Sequence, residues 1–135
     1  MREIKYIVLH CTATPKNTTV QSILNHWRNV LGWKSPGYHY IITPNGTEVQ
    51  LADISKQTNG VRGYNQNAIH ISYIGGLYDD DRTEDQKRAM AELVRKFKVI
   101  YPKSEILGHC DFPGVKKLCP NFDVKQWLQD EGILN

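Results

Sequence analysis

Two histidines and one cysteine are the side chains of this sequence best suited to metal chemistry. His10 ends the apolar run at 7–9, His109 lies in the segment 108–113, and Cys119 follows ten positions after His109. Two imidazoles and one thiolate form a ligand set that zinc uses in catalytic sites, where a fourth coordination position stays open for water or substrate. The three residues therefore predict a Zn²⁺ site that performs a reaction.

Each of these histidines is followed directly by a cysteine, Cys11 or Cys110. Because side chains alternate between the two faces of a strand, either the two histidines or the two cysteines are expected to share the site face. We favour His10 and His109 beside Cys119, since three thiolates are more typical of a structural zinc site. Cys11 and Cys110 are predicted to be small buried residues, with a disulfide between them as the alternative.

Length and composition favour one globular domain. The 135 residues, 40% of them hydrophobic, predict one domain over 1–135. A formal charge of +3 is too small and too scattered to predict nucleic-acid binding. No apolar stretch reaches signal-peptide or membrane-spanning length, so we expect cytoplasmic synthesis and no membrane partner. We also expect a monomer, and three cysteines favour metal binding or free thiols over a disulfide framework.

Hydrophobic patterning predicts an α/β domain built around one mixed sheet, flanked by about three helices. Strands are predicted at 4–9, 38–43, 47–51, 68–74 and 105–108, and an Asn45-Gly46 turn joins the second and third into a hairpin. Helices are predicted after capping boxes at 18–21 and 83–86, the first ending at Gly32, and a last helix after an Asp123 cap. The polar segment 53–67 is predicted to be a surface loop of the kind that lines binding sites.

Four segments resemble the type 2 N-acetylmuramoyl-L-alanine amidases, and among them most closely the phage lysozyme-like enzymes, which are relatives of the peptidoglycan recognition proteins. In chain order they are Val-Leu-His-Cys-Thr-Ala-Thr at 8–14, Gly-Tyr-His-Tyr at 37–40, Gly-Tyr-Asn-Gln-Asn-Ala-Ile at 63–69, and the stretch from Gly-His-Cys-Asp through Cys-Pro-Asn-Phe-Asp at 108–123. The resemblance implies a zinc hydrolase that cuts the amide between N-acetylmuramic acid and the L-alanine of the peptidoglycan stem. It also implies the ligands His10, His109 and Cys119, with catalytic help from Tyr38 and Lys117.

The chemistry of the two assisting residues follows from their types. A lysine ammonium near a metal stabilises the oxyanion of a tetrahedral intermediate. A tyrosine hydroxyl hydrogen-bonds the water or the intermediate and passes a proton. The alternatives are that Lys117 is a solvated loop cation beside Lys116 and that Tyr38 is a core aromatic at a strand start. His39 should face away from Tyr38 and either have a structural duty or support the site from behind the ligands.

The sequence departs from the family pattern at three positions. Ser72 stands where many relatives carry an acidic residue, and a serine cannot act unaided as the general base. His70 replaces a usual glycine, and we expect it to face solvent or an adjacent helix. Phage-type relatives often have a histidine close to the position of Gly60. In the same loop Arg62 is either a partner for a stem-peptide carboxylate or an ordinary exposed arginine, and Asn65 either bonds peptide or shapes the turn.

The predicted function is a lytic cell-wall amidase, either an endolysin or a bacterial enzyme that remodels or recycles wall fragments. Its partner would be peptidoglycan or soluble muropeptides, reached after release of the protein or after import of the fragments. The alternative is a non-catalytic peptidoglycan-binding module of the same fold. Modules of that type are expected to have lost the cysteine ligand, whereas Cys119 is present here.

Overall fold

A computed structural model describes residues 2–135 and contains a five-stranded mixed sheet. The strands are β1 (Tyr6–Cys11), β2 (Tyr40–Ile42), β3 (Glu48–Gln50), β4 (Ala68–Tyr73) and β5 (Glu105–Gly108). Their order across the sheet is β3-β2-β4-β1-β5, and only β3 runs antiparallel to its neighbour. The hairpin of β2 and β3 turns at Gly46, whose φ of +84° is a conformation that glycine adopts without strain. The predicted mixed sheet is confirmed.

The first helix, α1, is shorter than its hydrophobic spacing predicts. It covers Val20–Asn25 and continues as a wider π-helical turn over His26–Val30, just before Gly32. Its cap is Thr19, whose hydroxyl accepts a hydrogen bond from the Ser22 backbone N–H at 3.1 Å. The predicted capping box at 18–21 was therefore placed one residue too early.

The other two helices, α2 (Glu84–Ile100) and α3 (Val124–Glu131), begin where their caps predict. The Thr83 hydroxyl accepts from the Gln86 N–H and the Gln86 side chain accepts from the Thr83 N–H, both at 3.0 Å. The Asp123 carboxylate accepts from the Gln126 N–H at 3.1 Å. Among the helices of residues 2–135, none combines the length and apolar character that a bilayer crossing requires.

The sheet separates an apolar core from the face that carries the polar site residues. Along β1, Ile7, Leu9 and Cys11 pack with the buried sides of α2 and α3. Val8 and His10 alternate with them and therefore point to the opposite face. The alternation predicted for His10 and Cys11 is thus observed, with the imidazole and the thiol on opposite sides of β1.

The second face of the sheet is covered by α1 and by the loop at 53–67. Ile41 of β2 packs against Ile23 and Trp27 of the first helical segment. Val8 packs against Val61 of the loop. This cover buries the central strands β1 and β4 on both faces.

Candidate metal centre

The three predicted ligands come together beside the carboxyl ends of two adjacent parallel strands. His10 lies near the end of β1, and His109 follows directly after β5, with the two ring centroids 4.9 Å apart. One donor atom from each of His10, His109 and Cys119 lies within 4.8 Å of the other two. A tetrahedral zinc ion with bonds of about 2.0–2.3 Å needs donors roughly 3.5 Å apart, which small side-chain rotations would achieve here. The residues present fit a zinc ion.

Burial keeps both imidazoles in the neutral form that coordinates a metal. It lowers the pKa of His10 well below its usual range, and the neighbouring His70, His109 and Lys117 lower it further. Burial, and then the charge of Lys117, lower the pKa of His109. Since a metal ion takes the lone pair of a neutral ring, neither histidine has to lose a proton near neutral pH.

The Cys119 thiol is held against the end of β1. Its Sγ accepts a hydrogen bond from the backbone N–H of Cys11 at 3.1 Å, and its carbonyl accepts from the Cys110 N–H at 2.8 Å. Contact with the Cys11 thiol and burial raise the pKa of Cys119, so a cation in the site is what would favour the thiolate.

The other two cysteines have different surroundings from one another. Cys11 is buried, as predicted, whereas Cys110 is partly exposed and the prediction that it is buried was wrong. All three cysteines are free, so the alternative of a Cys11–Cys110 disulfide is excluded. Cys110 follows His109 in a single 3-10 turn rather than in a strand, which explains why its side chain is not carried into the core.

Tyr38 and Lys117 line the same cavity as the three candidate ligands, a space of about 300 Å³. The Tyr38 ring lies 4.9 Å from the His10 ring, and its hydroxyl donates to the Cys11 carbonyl at 3.3 Å. Burial raises the pKa of Tyr38, so the phenol stays protonated and acts as a donor. Lys117 has an exposed side chain, and its positive charge lowers the pKa of both His10 and His109.

Two residues of β4 flank His10 on the site face. Ser72 is paired in register with His10 and is fully buried. His70 is also fully buried, with its Nδ1 2.8 Å from His10 Nε2, so the expectation that it faces solvent or a helix was wrong. That expectation failed because the sequence does not show that β4 pairs with β1. Once β4 lies beside β1, a residue two positions before Ser72 must share its face.

His39 has the structural surroundings expected of it. Its Nδ1 accepts a hydrogen bond from the His70 backbone N–H at 3.0 Å, and its Nε2 lies 2.7 Å from the Lys56 carbonyl. Burial lowers its pKa to about 4, so the ring is neutral. His39 therefore ties the start of β2 to β4 and to the loop at 53–67.

A second, larger hollow of about 560 Å³ adjoins the first. Trp33 and Asn59 line both spaces, and Arg62 lies on the rim of the larger one. Asn65 also borders it, and its Oδ1 accepts from the Val61 backbone N–H at 2.7 Å. This bond shows that Asn65 shapes the turn. The amide-rich lining suits an extended polar ligand that leads away from the candidate metal centre.

The fold and this donor set together define a class, an α/β protein with a candidate metal site at the carboxyl ends of β1 and β5. The chain belongs to the N-acetylmuramoyl-L-alanine amidase family, whose sequence model matches residues 1–122. The predicted family and enzyme class are confirmed.

Individual relatives agree with the family assignment. The endolysin of Enterobacteria phage T3 is 32% identical over 135 residues, which cover 95% of this chain and 87% of that protein. Among solved structures, the Ph2119 endolysin from the Thermus scotoductus MAT2119 bacteriophage superposes with a TM-score of 0.86 at 23% identity, over 98% of this chain and 86% of that one. PGRP-SA of Apis mellifera gives a TM-score of 0.80 at 20% identity, over 94% and 82% of the two chains. These two structures show that the fold is shared.

Proposed function

We propose that this chain is a zinc-dependent hydrolase that cuts the amide between N-acetylmuramic acid and L-alanine in peptidoglycan. One observation carries the proposal. In a chain of this family, His10, His109 and Cys119 bring their donor atoms within 4.8 Å, in a cavity that also holds Tyr38 and Lys117. Zinc bound there would supply an activated water near neutral pH and a Lewis acid for the scissile carbonyl.

Lys117 is suited to stabilising the negative charge that develops on the carbonyl oxygen during attack. Its exposed side chain lines the metal cavity, and it comes from the segment that precedes Cys119. A donor preorganised at the position of a developing oxyanion contributes more to the transition state than to substrate binding. Lys117 should therefore affect the rate of cleavage more than the binding of substrate.

Tyr38 is suited to donating a hydrogen bond and, in turn, a proton. Its raised pKa makes it a poor general base, and Ser72 cannot fill that role unaided. Within the cavity, the Tyr38 hydroxyl already lies against the end of β1, where it donates to a backbone carbonyl. A substrate or intermediate oxygen bound beside His10 would compete for that donor. We therefore assign Tyr38 to orienting the reacting groups and relaying to the leaving amine a proton that the attacking water gives up, so that the phenol ends the reaction protonated.

The larger hollow is proposed to bind the stem peptide and adjoining sugar. It is continuous with the metal cavity through Trp33 and Asn59, and an Arg62 guanidinium on its rim matches a stem-peptide carboxylate. Because several relatives are phage endolysins, we propose that this chain also acts on the cell wall after release. Peptidoglycan would then be its macromolecular partner.

The test is release of stem peptides from purified peptidoglycan, followed by mass spectrometry. The parent should release peptides that begin with L-alanine, lose activity to a zinc chelator and regain it with zinc. Cys119→Ala should lose both bound zinc and release. The matched control, Cys110→Ala, should keep both, because Cys110 lies outside the donor set. Binding to peptidoglycan without any release by the zinc-loaded parent would instead support a binding module.

A further inference from the structure

A chain of three buried or half-buried polar side chains runs from the 53–67 loop to the candidate ligand His10. Asn65 Oδ1 lies 2.8 Å from His70 Nε2, and His70 Nδ1 lies 2.8 Å from His10 Nε2. Asn65 Oδ1 also accepts from the Val61 backbone N–H at 2.7 Å. Both rings of the chain are closed off from solvent, with His10 1% and His70 0% exposed. Nothing in the proposed chemistry uses His70 directly.

The donor and the acceptor of each hydrogen bond in this series follow from the first bond, between the Val61 backbone N–H and Asn65. A backbone N–H can only donate, so the Asn65 atom that it meets is the amide oxygen. His70 Nε2 must then donate to that oxygen. A neutral ring has one N–H, so His70 Nδ1 is an acceptor, and His10 Nε2 must donate to it. Neutral His10 is left with its lone pair on Nδ1.

His70 is expected to be neutral because its ring is fully buried and its two hydrogen-bond partners, an amide oxygen and an imidazole, carry no negative charge. If His70 did carry a second proton, its Nδ1 would donate to His10 Nε2. The single proton of His10 would then occupy Nδ1 and block that atom.

We propose that His70 is a positioning residue that holds His10 as the Nε2–H tautomer, so that His10 binds the metal through Nδ1. The inference rests on the proposed function for the metal, but it concerns how the ligand is oriented rather than what is cut. A hydrogen-bond partner on the far nitrogen of a metal-binding histidine fixes the tautomer and the ring orientation. In many sites a carboxylate or a carbonyl has this duty, whereas here a neutral imidazole backed by an amide performs it.

The protein is built to hold the His70 ring in this position. The His39 ring stacks on it with an interplanar angle of 13° and a centroid distance of 6.0 Å, and His39 Nδ1 accepts from its backbone N–H. The ring also lies close to the loop backbone, since a Cβ at Gly60 would be 2.2 Å from His70 Nδ1. Only a glycine at position 60 leaves room for the ring. The histidine at position 70 therefore requires a glycine at position 60.

The parent protein alone provides the first test, by NMR of ¹⁵N-histidine-labelled material at one fixed pH. We expect metal-free His10 to be protonated on Nε2. In protein loaded with ¹¹³Cd²⁺, the metal–nitrogen coupling should appear on Nδ1 of His10. Coupling on Nε2, or a His10 proton on Nδ1 in the metal-free protein, would overturn the inference without any variant having to fold.

Three variants then separate positioning from packing. His70→Leu fills space but accepts no hydrogen bond, and it should weaken zinc affinity about 10- to 100-fold in competition with a chelating dye. His70→Asn places an amide oxygen close to the position of Nδ1, and it should recover most of that loss and keep the Nε2–H signal of His10. Gly60→Ala should behave like His70→Leu, because its methyl group displaces the ring.

Two results would contradict a positioning role for His70. One is zinc affinity and a His10 tautomer in His70→Leu that equal those of the parent. The other is a loss in His70→Asn as large as the loss in His70→Leu, which would indicate packing alone. Both readouts are independent of peptidoglycan cleavage. A protein that binds zinc through Nδ1 of His10 but releases no peptide would refute the proposed function and leave this inference standing.

Discussion

The hydroxyl of Tyr73 is predicted to hold the segment that carries Cys119. Tyr73 is fully buried at the end of β4, and its hydroxyl donates to the Pro120 carbonyl at 2.7 Å. Tyr73→Phe keeps the ring and its packing but leaves a buried carbonyl without that partner. An unsatisfied buried acceptor costs about 1–3 kcal/mol, so we expect the free energy of unfolding to fall by roughly 2 kcal/mol. For a domain of this size, the melting temperature should fall by roughly 6–10 °C.

The assay is urea unfolding followed by circular dichroism, together with a thermal melt. Tyr78→Phe is the matched control, because Tyr78 is 88% exposed and should change stability by less than about 0.5 kcal/mol. Zinc affinity should also fall in Tyr73→Phe, since the freed carbonyl adjoins the candidate ligand. A Tyr73→Phe protein as stable as the Tyr78→Phe control would refute the reasoning that this hydrogen bond anchors the ligand segment.

Three further predictions follow from other contacts. Lys117→Ala should lower kcat/KM for stem-peptide release about 100-fold or more while zinc content stays unchanged, and Lys116→Ala should match the parent. Gln86→Leu should cost roughly 2–4 kcal/mol in urea unfolding, since the fully buried amide makes four hydrogen bonds. Burial alone would raise the pKa of Asp80, but its hydrogen bonds to Arg82 and the charge of Arg82 outweigh this and lower it. The carboxylate therefore contributes stability above its ordinary pKa of 3.8, and the contribution disappears as the pH falls through the lower folded value. Asp80→Asn should cost about 2 kcal/mol at pH 6 and progressively less under acid, and a pH-independent cost would contradict this.

The elements of the fold could be predicted because their signals are local. The Thr83 and Asp123 caps, the Gly46 turn and the apolar strands each depend on residues a few positions apart. The start and the end of α1 were predicted less accurately. Thr19 rather than Thr18 caps it, and its later part relaxes into a π-helical turn that hydrophobic spacing does not distinguish from an α-helix.

The polar surroundings of the site could not be predicted in the same way, because they depend on contacts between distant segments. His70 meets His10, which lies 60 positions away in the sequence, only because β4 pairs with β1. The departures at Gly60 and His70 look unrelated in the sequence, yet in space one makes room for the other. Likewise, Cys11 touches Cys119 across 108 positions, so its influence on the ligand thiol becomes visible only in three dimensions.

X-ray absorption at the zinc K-edge is the most direct test of the central claim, that His10, His109 and Cys119 hold a metal with one position open. We expect two nitrogen neighbours at about 2.0–2.1 Å, one sulfur at about 2.3 Å and one further light atom from solvent. Cys119→Ala, which should lose its bound zinc, is expected to give no such spectrum, whereas Cys110→Ala should reproduce the spectrum of the parent. A first shell with two or more sulfurs, or with no sulfur in the parent, would contradict the account.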